Sequence, residues 1–255
     1  SAIYPHQDAN LHQAQQHKLK TICEKLQLTP NDHLLEIGTG WGGLAIYAAK
    51  HYGCRVTTTT ISEEQYRFAE QWVEQENLQQ QITLLKKDYR LLDGQYDKLV
   101  SIEMIEAVGK EYLGTFFQQC SNRLKKDGIM LLQAITISDH RLNSYAKSVD
   151  FIQKHIFPGG FLPSQLLINQ HLKKHTDMMI RDLHDIGLDY AKTLQHWHQA
   201  FNNNIDALSQ DGYDERFSNM WRYYFSYCEG GFLERTISTV QLVLSKPAYS
   251  APLSR

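Results

Sequence analysis

Apolar positions along the first half of the chain follow two alternating rhythms. Short, nearly continuous apolar or β-branched runs at residues 33–37, 55–61, 82–85, 98–102 and 128–137 predict five strands. Around them, apolar residues recur every three or four positions at 14–26, 44–51, 63–76 and 112–124, the spacing of helices with one buried face. Pro30 stops the first helical pattern, and Lys126-Asp127-Gly128 predicts a turn ahead of the fifth strand. Strands separated by helices of this length need crossover connections, so the pattern predicts an α/β fold with a doubly wound, mainly parallel sheet. After residue 137 the rhythm changes. Residues 139–175 read as helices and loop around Phe157-Pro158-Gly159-Gly160-Phe161-Leu162-Pro163, helical spacing follows at 193–208 and 214–232, and strand alternation resumes at 238–245. One domain over 1–255 is expected, with a mostly helical insertion, about 139–232, after the fifth strand.

The junction of the first strand and the next helix narrows the chemistry. In Leu34-Leu35-Glu36-Ile37-Gly38-Thr39-Gly40-Trp41-Gly42-Gly43 an apolar run meets an acid and then closely spaced glycines. Glycines permit positive φ and let backbone approach a ligand. A phosphate-binding loop would carry Gly-Lys-Ser/Thr, which this chain lacks. A dinucleotide fold would space its glycines more widely and place its acid about twenty residues later. A carboxylate beside bare backbone suits a cationic, phosphate-free nucleoside, and S-adenosylmethionine is the ligand predicted. In doubly wound sheets such ligands bind at the carboxyl ends of the strands, near the switch point, where 36–43 falls.

Three further loops reach the same edge. Thr60-Ile61-Ser62, with Gln65 in a capping-box position, ends the second strand and offers ribose or adenine contacts. Lys87-Asp88-Tyr89-Arg90 follows the third, and Glu103 and Glu106 follow the fourth. Glu103 reads as well as a surface residue as a functional one. Glu106, among apolar neighbours at the cofactor rim, is a candidate to stabilise a cation or accept a proton. The second half is rich in aromatics, including Tyr190, Trp197, Trp221, Tyr224 and Phe225. They read first as helical core, and an aromatic wall would also attract a cation. His171 and His175 lie one turn apart without a third ligand, so no metal site is expected.

Composition limits the partners. Over 255 residues the net charge is -2, with no Lys/Arg run, so there is no electrostatic footprint for nucleic acid. No apolar stretch approaches the roughly 18 residues needed to cross a bilayer, so any membrane contact is expected to be peripheral. Cys23, Cys54, Cys120 and Cys228 form no CxxC pair, which points to a reducing cytoplasm.

With these residues in view, the chain resembles the cyclopropane-fatty-acyl-phospholipid synthase and mycolic acid cyclopropane synthase family of S-adenosylmethionine-dependent methyltransferases. The resemblance covers nearly all of the sequence and rests on GTGWGG at 38–43, TISEEQ at 60–65, KDYR at 87–90, VSIEMIEAVG at 100–109, KHIFPGGFLPS at 154–164 and RFSNMWRYYFSYCEGGF at 216–232. It implies a Rossmann-like methyltransferase fold. It implies cofactor contacts from Leu35, Glu36, Gly38, Thr39, Gly40, Trp41, Gly42 and Gly43, from Thr60, Ile61, Ser62 and Gln65, and from Tyr89, Arg90 and Ile102. It further implies a bicarbonate ion held by Glu106, Tyr190, the backbone of Ile135, and the positions of Ser1 and Gln133, with Cys228 as another active-site residue.

Departures from the family pattern accompany the likeness. Ala107 stands where a His follows the Glu, Gln133 stands for a His and Ser1 for a Cys. The upstream lipid-binding region of larger members is expected to be absent. The resemblance implies methyl transfer to the double bond of an unsaturated acyl lipid, giving a cyclopropane or a methyl branch. Gln133 and Ala107 suggest methylation without ring closure, which a cyclopropane product would refute. Two rival readings stay open, N- or C-methylation of a small molecule and a cofactor-binding module altered in its chemistry. Labelled cofactor offered to separate lipid and amine pools would divide the three. The expected location is cytoplasmic, with peripheral contact at the inner membrane surface.

Overall fold

Asn10 opens helix α1 (Leu11–Lys25): its side chain accepts from the Gln13 amide while the Gln13 side chain accepts from the Asn10 N–H. The computed structural model describes residues 1–252. Five crossover-connected strands follow, β1 (His33–Ile37), β2 (Arg55–Thr60), β3 (Ile82–Lys86), β4 (Tyr96–Ile102) and β5 (Leu124–Ile137). Helices α2 (Gly43–Tyr52), α3 (Glu63–Gln75) and α4 (Leu113–Arg123) connect them. Strands β6 (Met179–Asp185) and β7 (Ile237–Ser245) complete a sheet of order β3-β2-β1-β4-β5-β7-β6. The first five strands are mutually parallel, and β7 runs antiparallel to both its neighbours.

The central strands are continuous apolar runs because both faces of the sheet are covered. Leu35, Leu99 and Leu132 pack toward α4 with Phe116 and Phe117. Their chain neighbours Leu34, Val100 and Leu131 pack on the other face with Ala45 and Ala48 of α2 and Ile22 of α1. Burying a side chain of this kind contributes about 1.5–3 kcal/mol. Strand order reverses between β1 and β4, and there the Ser101 hydroxyl donates to the Ile37 carbonyl at 3.0 Å. The crevice for a ligand therefore opens beside the residue that precedes Gly38.

Between β5 and β7 the chain forms α5 (Leu142–Tyr145), α6 (Phe151–His155), α7 (Gln165–His175), β6 (Met179–Asp185), α8 (Gly187–Asn203), α9 (Ile205–Gln210) and α10 (Glu215–Leu233). The segment is mostly helical, but it also contributes the edge strand β6, which the sequence pattern did not indicate. An edge strand buries little, and Met179, Ile180 and Leu183 are all exposed beside charged neighbours, so the apolar alternation is lost. The helix expected at 193–208 is the end of α8 and a separate α9, broken at Asn204. The true start at Gly187 places Tyr190 in the first turn of α8. The turn expected at Lys126-Asp127-Gly128 lies inside β5 as an irregularity, where pairing with β4 steps from Tyr96–Leu124 to Lys98–Ile129. Among the described residues no helix is long and apolar enough to cross a membrane.

Gly42 caps α2 with φ of 93°, and a Cβ there would meet the Cβ of Ala69 on α3 at 3.1 Å. Gly42→Ala should combine left-handed strain with a tight contact, costing about 1–3 kcal/mol. Differential scanning calorimetry should find the midpoint lowered by roughly 5 °C; an unchanged midpoint would refute this account of the turn.

Candidate active site

The glycine turn is held from below. The N–H groups of Gly38 and Thr39 both donate to the Thr59 carbonyl, at 3.1 and 3.0 Å, and Gly42 N–H donates to Thr39 O at 3.0 Å. Gly38, Gly40 and Gly42 all have positive φ. A Cβ built on Gly40 meets no described atom within 4 Å, so this part of the turn faces open space. Glu36, in contrast, points into the fold. It is 3 % exposed, accepts from the Thr58 hydroxyl at 2.6 Å, and Thr58 in turn meets the Thr39 hydroxyl at 2.7 Å. Burial raises its carboxyl to about 8, against the opposing effects of Thr58 and the Lys18 charge. The acid of the motif thus props the turn through two threonines, and Leu35 beside it is fully buried core.

The neighbouring loops form a rim. Ser62 caps α3 by accepting from Gln65 N–H, but the expected capping box is only half made, because the Gln65 side chain instead accepts from the Thr60 hydroxyl at 2.9 Å. That bond leaves the Gln65 amide NH₂ free to donate. Ile61 is 79 % exposed, and Trp41 is 56 % exposed with its ring edge-on to Phe68 at 5.4 Å. Tyr89 packs against Phe116, and Ile102 is half-buried at the end of β4. Arg90 is engaged by Asp88 in a two-pronged ion pair, closest at 2.6 Å.

The reacting end of the crevice is built from β4, β5 and α8. Glu103 follows β4 with φ of 51°, and its N–H donates to Gln133 O at 2.8 Å. Far from lying on the surface, its Oε1 accepts from Gln133 Nε2 at 2.6 Å and its Oε2 from the Tyr190 hydroxyl at 2.9 Å. Gln133 is fully buried, and its orientation is fixed by Gln241, the residue opposite on β7, whose Nε2 donates to Gln133 Oε1 at 3.0 Å. The donor end of Gln133 is thereby turned to Glu103 and also to the Ser1 hydroxyl at 2.8 Å.

Glu106 sits in a short 3₁₀ turn, Ile105–Ala107. Its Oε1 accepts from Ile135 N–H, while its buried Oε2 has no hydrogen-bond partner among the described residues. Burial, then the charge of Glu103, pushes its carboxyl up to about 8. Ala107 is exposed. The Glu106 carbonyl accepts from Phe161 N–H at 2.9 Å, so the Phe-Pro-Gly-Gly loop is tied to the same turn.

Tyr190 stacks on Phe232 of α10 at 4.6 Å and meets Trp197 edge-on at 6.1 Å. Burial first, then nearby carboxylates, raises its phenol, which stays protonated. Phe225, Trp221 and Tyr224 extend this wall, and Cys228 packs against it. The Cys228 thiol, pushed up to about 12 by burial, is neutral and lines the wall as a small apolar group. Phe157 reaches the wall from the Gly-Gly loop, 6.5 Å from Tyr224. His171 and His175 stack on each other at 5.5 Å, His171 against Phe117, away from this crevice in the α4–α7 contact. The sequence left Glu103 undecided between a surface residue and a functional one. The signal available was its place at the end of a parallel strand one residue before Met104, and nothing in the residue types told that it turns inward.

Against known proteins, the model of the family described as mycolic acid cyclopropane synthetase matches residues 1–242. The chain is 42% identical over 238 residues to the cyclopropane-fatty-acyl-phospholipid synthase of Escherichia coli K12, covering 93% of this chain and 59% of that one. It is 38% identical over 231 residues to a tuberculostearic acid methyltransferase of Mycobacterium tuberculosis, covering 91% and 54%. The chain thus spans less than two thirds of the length of these relatives. Among solved structures, the cyclopropane synthase MmaA2 of Mycobacterium tuberculosis superposes with a TM-score of 0.89 at 25% identity, over 96% of this chain and 88% of that one. The mycolic acid cyclopropane synthase CmaA1, complexed with SAH and CTAB, superposes equally well at 27% identity, with the same coverage.

Proposed function

The chain belongs to the mycolic acid cyclopropane synthetase family, and we propose that it transfers the methyl group of S-adenosylmethionine to the double bond of an unsaturated phospholipid acyl chain. One arrangement carries the reading. A glycine turn with open space at Gly40 lies on the same sheet edge as two carboxylates, and an aromatic wall covers them. The turn backbone and the amino end of α2 suit the carboxylate of the methionine part. Thr60 and Gln65 suit the ribose, and the exposed Ile61 and the Tyr89–Arg90 turn suit the adenine. When bound, S-adenosylmethionine supplies a methyl group on a positively charged sulfur.

The chain's own residues align and protect. The helical segment between β5 and β7 acts as the substrate-covering part of one catalytic domain, excluding water around the methyl group. Tyr190 and the other rings face a developing carbocation with their π surfaces, at about 0.5–2 kcal/mol per contact. Glu106 lines the same space with the oxygen that has no partner among the described residues. Exposed Val149 and Phe157, with Lys147 and Lys154 nearby in sequence, form an apolar and basic rim that meets the inner membrane surface peripherally.

The test uses cofactor labelled in its methyl group, vesicles of monounsaturated or fully saturated phospholipid, and a separate pool of small amines. Label should enter only the unsaturated lipid, and the vesicles should carry the protein down on sedimentation. Label in the amines, or none in any pool despite tight SAH binding, would overturn the assignment. Proton spectra of the product distinguish a ring from a methyl-branched alkene.

A further inference from the structure

The family expectation of a bicarbonate ion can be tested against the groups that would hold it. Ile135 N–H already donates to Glu106. The Gln133 amide and the Tyr190 hydroxyl each donate to a different oxygen of Glu103. The Ser1 hydroxyl accepts from Gln133. Of these groups only the protonated Glu106 carboxyl keeps a hydrogen to give, and the Glu103 carboxylate that holds the other donors would repel a further anion. The site does not fit bicarbonate.

We propose that the Glu103 carboxylate takes the place of the external anion and is the resident proton acceptor of the reaction. The proposal rests on the methyl-transfer reading above. A non-glycine residue at φ of 51° is strained by about 1 kcal/mol, and strain of this kind is kept where a side chain must be held in one position. The strain turns Glu103 from the strand end into the crevice, where hydrogen bonds to both oxygens favour its charged form. Burial pushes its carboxyl up, and the Lys18 charge with the hydrogen bonds from Gln133 and Tyr190 works against that. Glu106 is pushed up to about 8 by burial and by the charge of Glu103, and its second oxygen lacks the donors that Glu103 has, which places the negative charge of the pair on Glu103.

The chemistry balances without a co-reactant. The alkene π pair forms the new C–C bond as the C–S bond breaks, with its electron pair left on sulfur. The adjacent carbon becomes cationic. Glu103 then takes a proton from a neighbouring C–H, whose electrons become either the ring-closing C–C bond or a C=C bond. The proton passes to water when product leaves.

Carbonate-free enzyme should transfer methyl groups at the same rate with or without added bicarbonate. Glu103→Gln should lower kcat by roughly 100-fold while leaving SAH affinity unchanged. Glu103→Gly, whose backbone suits the positive φ, should be as slow, and formate or bicarbonate should restore its rate by roughly 10-fold or more. Independently of turnover, the resonance of isotope-labelled bicarbonate should broaden with Glu103→Gly and not with the wild-type protein. Stimulation of the wild type by bicarbonate, broadening by the wild type, or an undiminished rate in Glu103→Gln would overturn the proposal. If no lipid is methylated by the wild type, the methyl-transfer reading fails, while the resonance experiment still decides which anion fills the site.

Discussion

Gly40→Leu should weaken SAH binding by roughly 100-fold or more, for a stability cost of only about 1–2 kcal/mol. The two numbers separate because of where Gly40 lies. Its φ of 54° is in the left-handed region, which a leucine can occupy at modest strain. The added side chain meets no described protein atom, so nothing in the fold resists it. It projects instead into the space reserved for a ligand held against bare backbone. Gly42, two residues on, gives the opposite pairing, since its Cβ would press on Ala69 between α2 and α3. Isothermal calorimetry with SAH, beside a melting curve for each variant, reads both effects. Wild-type affinity in Gly40→Leu would remove the cofactor from this turn.

Glu106→Gln should make the protein more stable at pH 8 by about 2 kcal/mol, with no gain at pH 4. The sign follows from the proton. In the folded chain the Glu106 carboxyl stays protonated up to about 8, whereas its ordinary value is 4.5. Below that ordinary value both states are protonated and the group costs nothing. As pH rises toward 8, the unfolded chain ionises first, so stability is lost through that window. Glutamine has no proton to lose and still accepts from Ile135 N–H. The groups facing Glu106 that also carry or gain charge are Glu103 and Tyr190, with Lys18 acting on Glu103. A second negative charge beside Glu103 should make kcat/KM of the wild type fall above pH 8, and removing the ionisation should abolish that fall. Glu106→Ala is expected to lose about 1–3 kcal/mol instead, because it leaves a buried N–H unmatched. Thermal midpoints across pH 4–9 decide the matter, and a parallel loss of stability in the glutamine variant would refute it.

The parts of the molecule legible in the sequence are those set by neighbours along the chain. Apolar runs with both faces buried announced β1 to β5, and helical spacing announced α1 to α4. Gly38, Gly40 and Gly42 marked a tight turn of positive φ, because only local backbone conformation is needed to read it. Strand β6 was not legible. An edge strand with one neighbour and exposed Met179, Ile180 and Leu183 keeps no burial pattern. Glu36 was placed correctly in the chain, but its residue type said nothing of Thr58, which draws it beneath the turn.

The division is sharpest at the carboxyl pair. Their residue types and their strand-end position are written in the order Glu103-Met104-Ile105-Glu106. Which of them holds the charge depends on Gln133 from β5, oriented by Gln241 from β7, and on Tyr190 from α8, groups from 30 to 138 positions away along the chain from Glu103. The sequence alone determined the five parallel strands, the glycine turn and the family. Only the tertiary structure decided that one glutamate turns inward to meet those donors while the other keeps its proton. A carboxyl group's state is set by burial and by the partners folding brings to it, and neither is local in sequence.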